Sequence, residues 1–332
     1  MQATRRPDLD RAPLRPLLKW AGGKRQLLPV LRRYYPSAFN RYIEPFFGSG
    51  AVFFDLVTTG RLDDRAVLLA DDNADLVSCY AAVRDTPEEV ILELERLADE
   101  YRLAGSQCYY EVRDQRFNPA RAAGTARPAA LAAMLIFLNR TGFNGLFRLN
   151  QRGQFNVPAG RHQNPRICDS ANIRAVARAL RAPGVRFVQR SFEETLAEAR
   201  RGDFVYCDPP YAPLTPTARF AHYTAGGFGT DAQHRLQQAV VGAVARGAHV
   251  VLSNSSAEEI EQLYGGVAAR HAGLTMSRVP ARRAINSRAS ARGVVQEVLV
   301  SNVPPQPVLE AIRPTMAKAT LAGRRARPAR TA

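Results

Sequence analysis

Asp208, Pro209, Pro210 and Tyr211 set a carboxylate, two rigid imino acids and an aromatic ring directly behind the apolar run "FVYC". Each proline fixes φ and removes a backbone donor, so the turn reads as an array of acceptors with its carbonyls free. The chemistry that needs such an array is done on an exocyclic amine. Its two N–H groups are taken by the Asp208 carboxylate and the Pro209 carbonyl, and the nitrogen lone pair then leaves conjugation and faces an electrophile. Tyr211 offers a ring on which a planar base can stack, worth about 1 to 3 kcal/mol. A target amine inside a duplex must first swing out, at a cost of roughly a few kcal/mol, which stacking offsets.

A second set of residues suits an adenosine-containing ligand. In "YIEPFFGSGAVFF", Gly48 and Gly50 follow a strand and precede a helical segment, so backbone can approach a ligand at the strand's end. Further on, "LLADDN" closes another strand with Asp71, where an acid can accept from ribose hydroxyls. This spacing fits a dinucleotide and S-adenosylmethionine equally. The third phosphate-binding glycine is missing, however, and Phe46 with Phe47 offers flat apolar surface, which counts against NAD. No G-x-x-x-x-G-K-[ST] is present either, so an ATP-driven reaction fits poorly. Upstream, "LLKWAGGKRQLL" holds Trp20, the only tryptophan, and Lys24. The segment reads as an ordinary glycine turn, or as a site where Lys24 pairs with a cofactor's carboxylate while Trp20 covers its apolar part.

These residues need a scaffold that brings strand ends together. Apolar runs ending in Gly, Asp or Asn recur in "RYIEPFFGSG", "AVLLADDN", "DFVYCDPPY" and "AHVVLSNSS", each a buried parallel strand followed by a loop. Helical periodicity fills the intervals, as in "DAQHRLQQAVVGAVARG" and in "SANIRAVARALRAPG", which Asp169 or Ser170 caps. The result is a doubly wound α/β pattern with ligands at the carboxyl ends of the strands. From residue 76 to 168 the pattern is interrupted by two helical stretches, "PEEVILELERLADEY" and "RPAALAAMLIFLNR". They are followed by "NRTGFNGLFRLNQRGQFNVPAG", a hairpin or extended loop. Residues 1–13 read as a disordered lead and 304–332 as a basic disordered tail.

Composition sets the remaining limits. The chain has 332 residues, 46% of them hydrophobic, enough for a full core. Its longest apolar run, Ala129 to Leu138, is about half of what a membrane span requires. Cys79, Cys108, Cys168 and Cys207 are scattered and read as reduced thiols, and neither they nor the histidines show metal-ligand spacing. Cys207 lies inside a strand run, a poor place for a covalent nucleophile. The net charge is +16, and removing the six basic residues of the last twenty still leaves +10, a field that favours nucleic acid. No metal, no membrane, a monomer and a cytoplasmic, nucleoid-associated location are expected.

Taken in order, "LLKWAGGK", "EPFFGSG", "LADDNADL" and "DPPY" resemble the motifs of the N6-adenine DNA methyltransferases, specifically the Dam family of the D12 class, α arrangement. The resemblance runs from about Leu17 to Asn302. It implies a Rossmann-like S-adenosylmethionine-dependent methyltransferase fold, with a catalytic domain in 14–75 and 169–303 and an inserted helical target-recognition domain in 76–168. It further implies that Trp20, Lys24, Phe46, Asp71, Asp72, Ser191, Phe192 and Asp208 line the cofactor site and that the catalytic group is Asp208 to Tyr211. The segment from Asn139 to His162 is similar to the family's DNA-reading hairpin. Phe143, where members often have tyrosine, then wedges into the base stack, with Asn144 and Leu146 nearby. Arg148 reads a guanine edge by a bidentate pair, and Arg161 contacts DNA more generally. "LSNSS" resembles a strand end near the target pocket, and Arg282, Arg283, Arg288 and Arg292 of the last loop suit phosphate. The implied activity is methylation of a flipped adenine in double-stranded DNA, with GATC as the expected site. The same amine chemistry would serve N4-cytosine or RNA adenine methylation, and a silent DNA-binding relative would keep the fold. A partner restriction endonuclease is left open.

Overall fold

Strands β1 (Tyr42–Glu44), β2 (Val67–Asp71), β4 (Phe204–Cys207) and β5 (His249–Ser255) occupy the four apolar runs, and nearly all their residues are buried. Continuous burial is what a parallel strand covered on both faces requires. With β3 (Val185–Gln189), β6 (Thr275–Arg282) and β7 (Val294–Ser301) they form one sheet in the order β3-β2-β1-β4-β5-β7-β6. The first five run parallel, while β7 is antiparallel to both β5 and β6. The computed structural model describes residues 14–20, 22–212, 228–282 and 294–307. The expected disordered lead, tail residues from 308 onward, and Arg283, Arg288 and Arg292 lie outside the described residues.

The chain leaves β1 toward β2 and β3, then returns to pair β4 on the other side of β1, with Tyr42 opposite Phe204 and Ile43 opposite Val205. A reversal of this kind opens a crevice at the carboxyl ends of the two central strands. The glycine loop after β1 and the Asp208 turn after β4 therefore share that edge.

Between β2 and β3 the chain builds helices Ala74–Asp85, Pro87–Ala104, Pro128–Thr141 and Ser170–Leu180, with shorter turns between the second and third. Caps set the outer two: Asn73 accepts from the N–H of Leu76, and Asp169 from that of Asn172. Pro87 and Pro128 start the middle two at the first turn, where a missing N–H costs nothing. Helix Ala74–Asp85 touches both the sheet and helix Pro128–Thr141, so the insert and one face of the sheet share one apolar core, from Leu69 through Val83 to Phe137. A second core, around Val205, Leu236 and Ile260, covers the opposite face.

Residues 142–160 fold back as a loose hairpin. Its strands meet only in isolated antiparallel bridges, Gly142 with Ala159 and Leu149 with Phe155. Buried Phe155 and Val157 anchor it, and Tyr109 donates to the Val157 carbonyl at 2.8 Å. Among the described residues no helix is long and apolar enough to cross a membrane.

Candidate active site

Asp208 emerges at the end of β4, where burial of the strand leaves its carboxylate at the crevice. One of its oxygens, Oδ1, is 2.8 Å from Lys24 Nζ and accepts from Ser253 Oγ at 3.0 Å. Since the Ser253 hydroxyl gives its proton to Asp208, the Tyr206 phenol, 3.1 Å away, donates to Ser253. Burial pushes the Asp208 carboxyl above its ordinary value; the Lys24 ammonium and the serine hydrogen bond oppose this, and Glu297 adds to it. Lys24 is itself buried, also donates to the Gly22 carbonyl, and lies 4.5 Å from the centroid of the Tyr211 ring. Two of its three N–H donors are thus spent within the protein. The reading that directs Lys24 toward a cofactor carboxylate is met here by an ammonium paired with Asp208.

The rest of the turn is held from three sides. Gln233 donates to the Pro210 carbonyl at 3.0 Å and accepts from Asn254 at 3.1 Å, and Asn254 Oδ1 accepts from the Ala212 N–H at 3.3 Å. Ser255 donates to the Ala212 carbonyl at 2.6 Å, and Tyr211 donates its hydroxyl proton to Glu297 at 2.7 Å. The expectation that both proline carbonyls stay free is therefore altered at Pro210, whose carbonyl is occupied by Gln233. Sequence reading singled out neither Gln233, Glu297 nor Glu44. Glu44, two residues before Phe46, is buried beneath the crevice and accepts from Tyr42 at 2.9 Å, and burial pushes its carboxyl well above the usual range. The only signal for it was an acid inside an apolar run.

Along the other half of the crevice, Asp71 ends β2 and accepts from the N–H groups of Gly48 at 2.8 Å and Asn73 at 2.9 Å. It pins the glycine loop to β2, while Asp72 is exposed beside it. Gly48 has φ of +50°, and a Cβ there would sit 3.1 Å from the Trp20 ring. Phe46 is half-buried and stacks on Phe192 with centroids 5.3 Å apart, whereas Phe47 points into the core. Ser191 caps helix Phe192–Ala197, exchanging hydrogen bonds with Glu194. Cys207 is fully buried, and burial pushes its thiol far up, which removes it as a nucleophile. Among the described residues no cluster of three or more His, Cys, Asp or Glu could hold a metal ion.

The N-terminal segment joins this site to the hairpin. Trp20 stacks on Phe147 at 5.6 Å, and the Asn139 side chain bonds both the N–H and the carbonyl of Lys19 as well as the Gly145 carbonyl. Phe143 is 42% exposed at the hairpin's base. Asn144 takes a positive φ of 54°, and Leu146 is half-buried. Arg148 is exposed and spends two N–H donors on Asn156, at 2.7 and 3.3 Å. Arg161 is exposed and lines a cleft beside the end of helix Pro87–Ala104 that includes none of the Asp208 turn.

A sheet of this strand order, parallel but for β7 and with loops facing a crevice after its two central strands, defines a Rossmann-like methyltransferase fold with helical insertions. Residues 20–277 match the D12 class N6 adenine-specific DNA methyltransferases, and the chain belongs to that family. It is 36% identical to the type II methyltransferase M1.LlaDCHI of Lactococcus lactis subsp. cremoris over 87% of this chain and 95% of that one. It is equally identical to the type II methyltransferase M.MjaIII of Methanocaldococcus jannaschii, over 87% and 99%. Identity to the DNA adenine methylase of Escherichia coli K12 is 34%, over 86% and 94%. The chain is accordingly an S-adenosylmethionine-dependent, adenine-specific DNA methyltransferase. The crevice fits that cofactor: a buried ammonium at Lys24, the apolar rings of Trp20 and Phe46, and acids at Asp71 and Asp72.

Proposed function

We propose that this enzyme methylates N6 of an adenine flipped out of a GATC site in double-stranded DNA, with Asp208, Pro209, Pro210 and Tyr211 as its catalytic group. The observation that carries this reading is the Asp208 carboxylate, set at the end of β4 and bonded to Lys24 and Ser253. Asp208 accepts a hydrogen bond from one N6–H and the Pro209 carbonyl from the other, so the lone pair faces the methyl donor. As the N–C bond forms the S–C bond breaks, and the one surplus N6 proton leaves by way of the Asp208 carboxylate. Tyr211 stacks against the base, and the Lys24 ammonium keeps Asp208 ionised as an acceptor. When bound, S-adenosylmethionine supplies a methyl group on a sulfonium, open to in-line displacement. Lys24 would use its remaining donor on the cofactor's carboxylate, Trp20 and Phe46 would cover its apolar part, and Asp71 or Asp72 would accept from the ribose. Ser191 and Phe192 support the Phe46 wall.

Residues 76–168 serve as the target-recognition insert. Phe143, exposed at the base of the hairpin, enters the gap left by the adenine, with Asn144 and Leu146 beside it. Arg148, braced by Asn156, reads a guanine, and Arg161 meets the phosphate backbone, as does the basic tail outside the described residues. The test is expression in a host without adenine methylation, followed by sequencing that maps modified bases. Wild-type protein should mark adenine in GATC, and Asp208→Ala should leave the DNA unmarked while keeping the wild-type fold by circular dichroism. Methyl incorporation by Asp208→Ala at the wild-type rate, or marks on cytosine, would overturn the reading.

A further inference from the structure

Tyr211 directly follows two prolines, which fix their own φ but not its χ1, so the angle of its ring depends on what holds the hydroxyl. That hold comes from outside the catalytic turn. Glu297 lies on β7 and accepts the Tyr211 hydroxyl proton at 2.7 Å. In the sheet register Glu297 is the cross-strand partner of Ser255 on β5, which donates to the carbonyl of the next residue, Ala212, at 2.6 Å. One antiparallel pair of residues thus clasps two consecutive residues of the turn, one by its side chain and one by its backbone. Lys24 lies 4.5 Å from the ring centroid, so a cation covers one face of the same ring.

We propose that Glu297 is a positioning residue for methyl transfer, holding the Tyr211 ring at the angle at which the extruded base stacks. This rests on the reading of Tyr211 as the stacking surface. Glu297 is half-buried on a strand whose neighbours Val298, Leu299 and Val300 are fully buried, so its carboxylate is presented from a strand packed into the core. It needs no contact with DNA or cofactor to act. Freed from it, the ring samples other rotamers, and the base must pay to select the productive one, which appears in the extrusion step and in kcat rather than in cofactor binding.

The experiment compares wild type, Glu297→Ala, Glu297→Gln, Tyr211→Phe and the Tyr211→Phe/Glu297→Ala double variant on a GATC duplex. The measurements are kcat, KM, cofactor affinity by titration, thermal midpoint, and the fluorescence of 2-aminopurine placed at the target adenine. Glu297→Ala should lower kcat roughly tenfold and dampen the fluorescence rise, with cofactor affinity and midpoint unchanged. Glu297→Gln, which keeps an acceptor oxygen, should restore most of the activity. Tyr211→Phe should match Glu297→Ala, and the double variant should be no worse than either, because both remove one contact. Wild-type turnover by Glu297→Ala would overturn the proposal, as would additive losses in the double variant or a loss traced to cofactor binding or unfolding. If wild type itself leaves adenine unmethylated, the functional reading fails rather than the role of Glu297.

Discussion

At the scale of single residues, the Asp208 carboxylate is held between opposing forces. Burial favours the neutral acid at Asp208, and the Glu297 charge pushes the same way, while Lys24 and Ser253 favour the carboxylate. The net direction is upward, and the ionised form is the stronger acceptor toward both Ser253 and an amine. The acid limb of kcat/KM should therefore lie above the ordinary carboxylate range, activity being lost as pH falls through the raised pKa. Lys24→Met removes the strongest opposing influence and should move that limb further up in a pH–rate series. An unchanged limb in Lys24→Met would assign it to another group. Asp208 was legible in the sequence because an acid between a buried strand and two prolines has few structural reasons to be there. Its partners were not: Ser253, Gln233 and Glu297 are separated from the turn residues they bond by 23 to 86 residues, and nothing local marks a serine or glutamine as a distant acid's neighbour.

At the scale of elements, the four parallel strands were legible because burial on both faces leaves an unbroken apolar run. Edge strand β3, "VRFVQ", was not, since its residues alternate between half-buried, exposed and buried. The long-range tie between the N-terminal segment and the hairpin was also hidden. Asn139 sits in an apolar helix as its one buried amide, and only the fold reveals that it bonds Lys19 twice, 120 positions away, and Gly145 once. Gly145, at φ of +64°, lets the hairpin pass so close that a Cβ would meet Lys19 Cβ at 2.5 Å. Asn139→Ala would leave three backbone groups without their partner, at about 1 to 3 kcal/mol for a buried group. We expect a lower thermal midpoint together with poorer discrimination between the proposed GATC site and single-mismatch duplexes, because Trp20, Phe147 and the hairpin base lose their common register. Destabilisation with discrimination intact would show that the tie serves stability alone.

At the scale of the whole molecule, the arrangement bears on how recognition and chemistry stay in register. An insert joined by mobile linkers would have to find the crevice anew at each turnover, whereas here the insert and one sheet face are covered by the same apolar core. Residues from the sheet (Leu69, Phe187), from the glycine loop (Phe47), and from the insert (Leu94, Phe137, Phe155) all belong to it. The aromatic packing of Phe47 with Tyr80 and Phe187, at 5.0 and 4.8 Å, spans the junction. Separating the two parts would expose this surface at roughly 25 cal/mol per Å², so the insert has no low-cost way to unfold alone. Thermal unfolding should therefore be a single cooperative transition, with circular dichroism and tyrosine fluorescence changing together and the calorimetric and van't Hoff enthalpies equal. S-adenosylmethionine at a hundred times its Kd should raise the stability of the entire unit by about 2.7 kcal/mol. Two resolved transitions, only one of them moved by cofactor, would mean that the insert melts on its own, and the rigid coupling between the hairpin and the Asp208 turn would have to be abandoned.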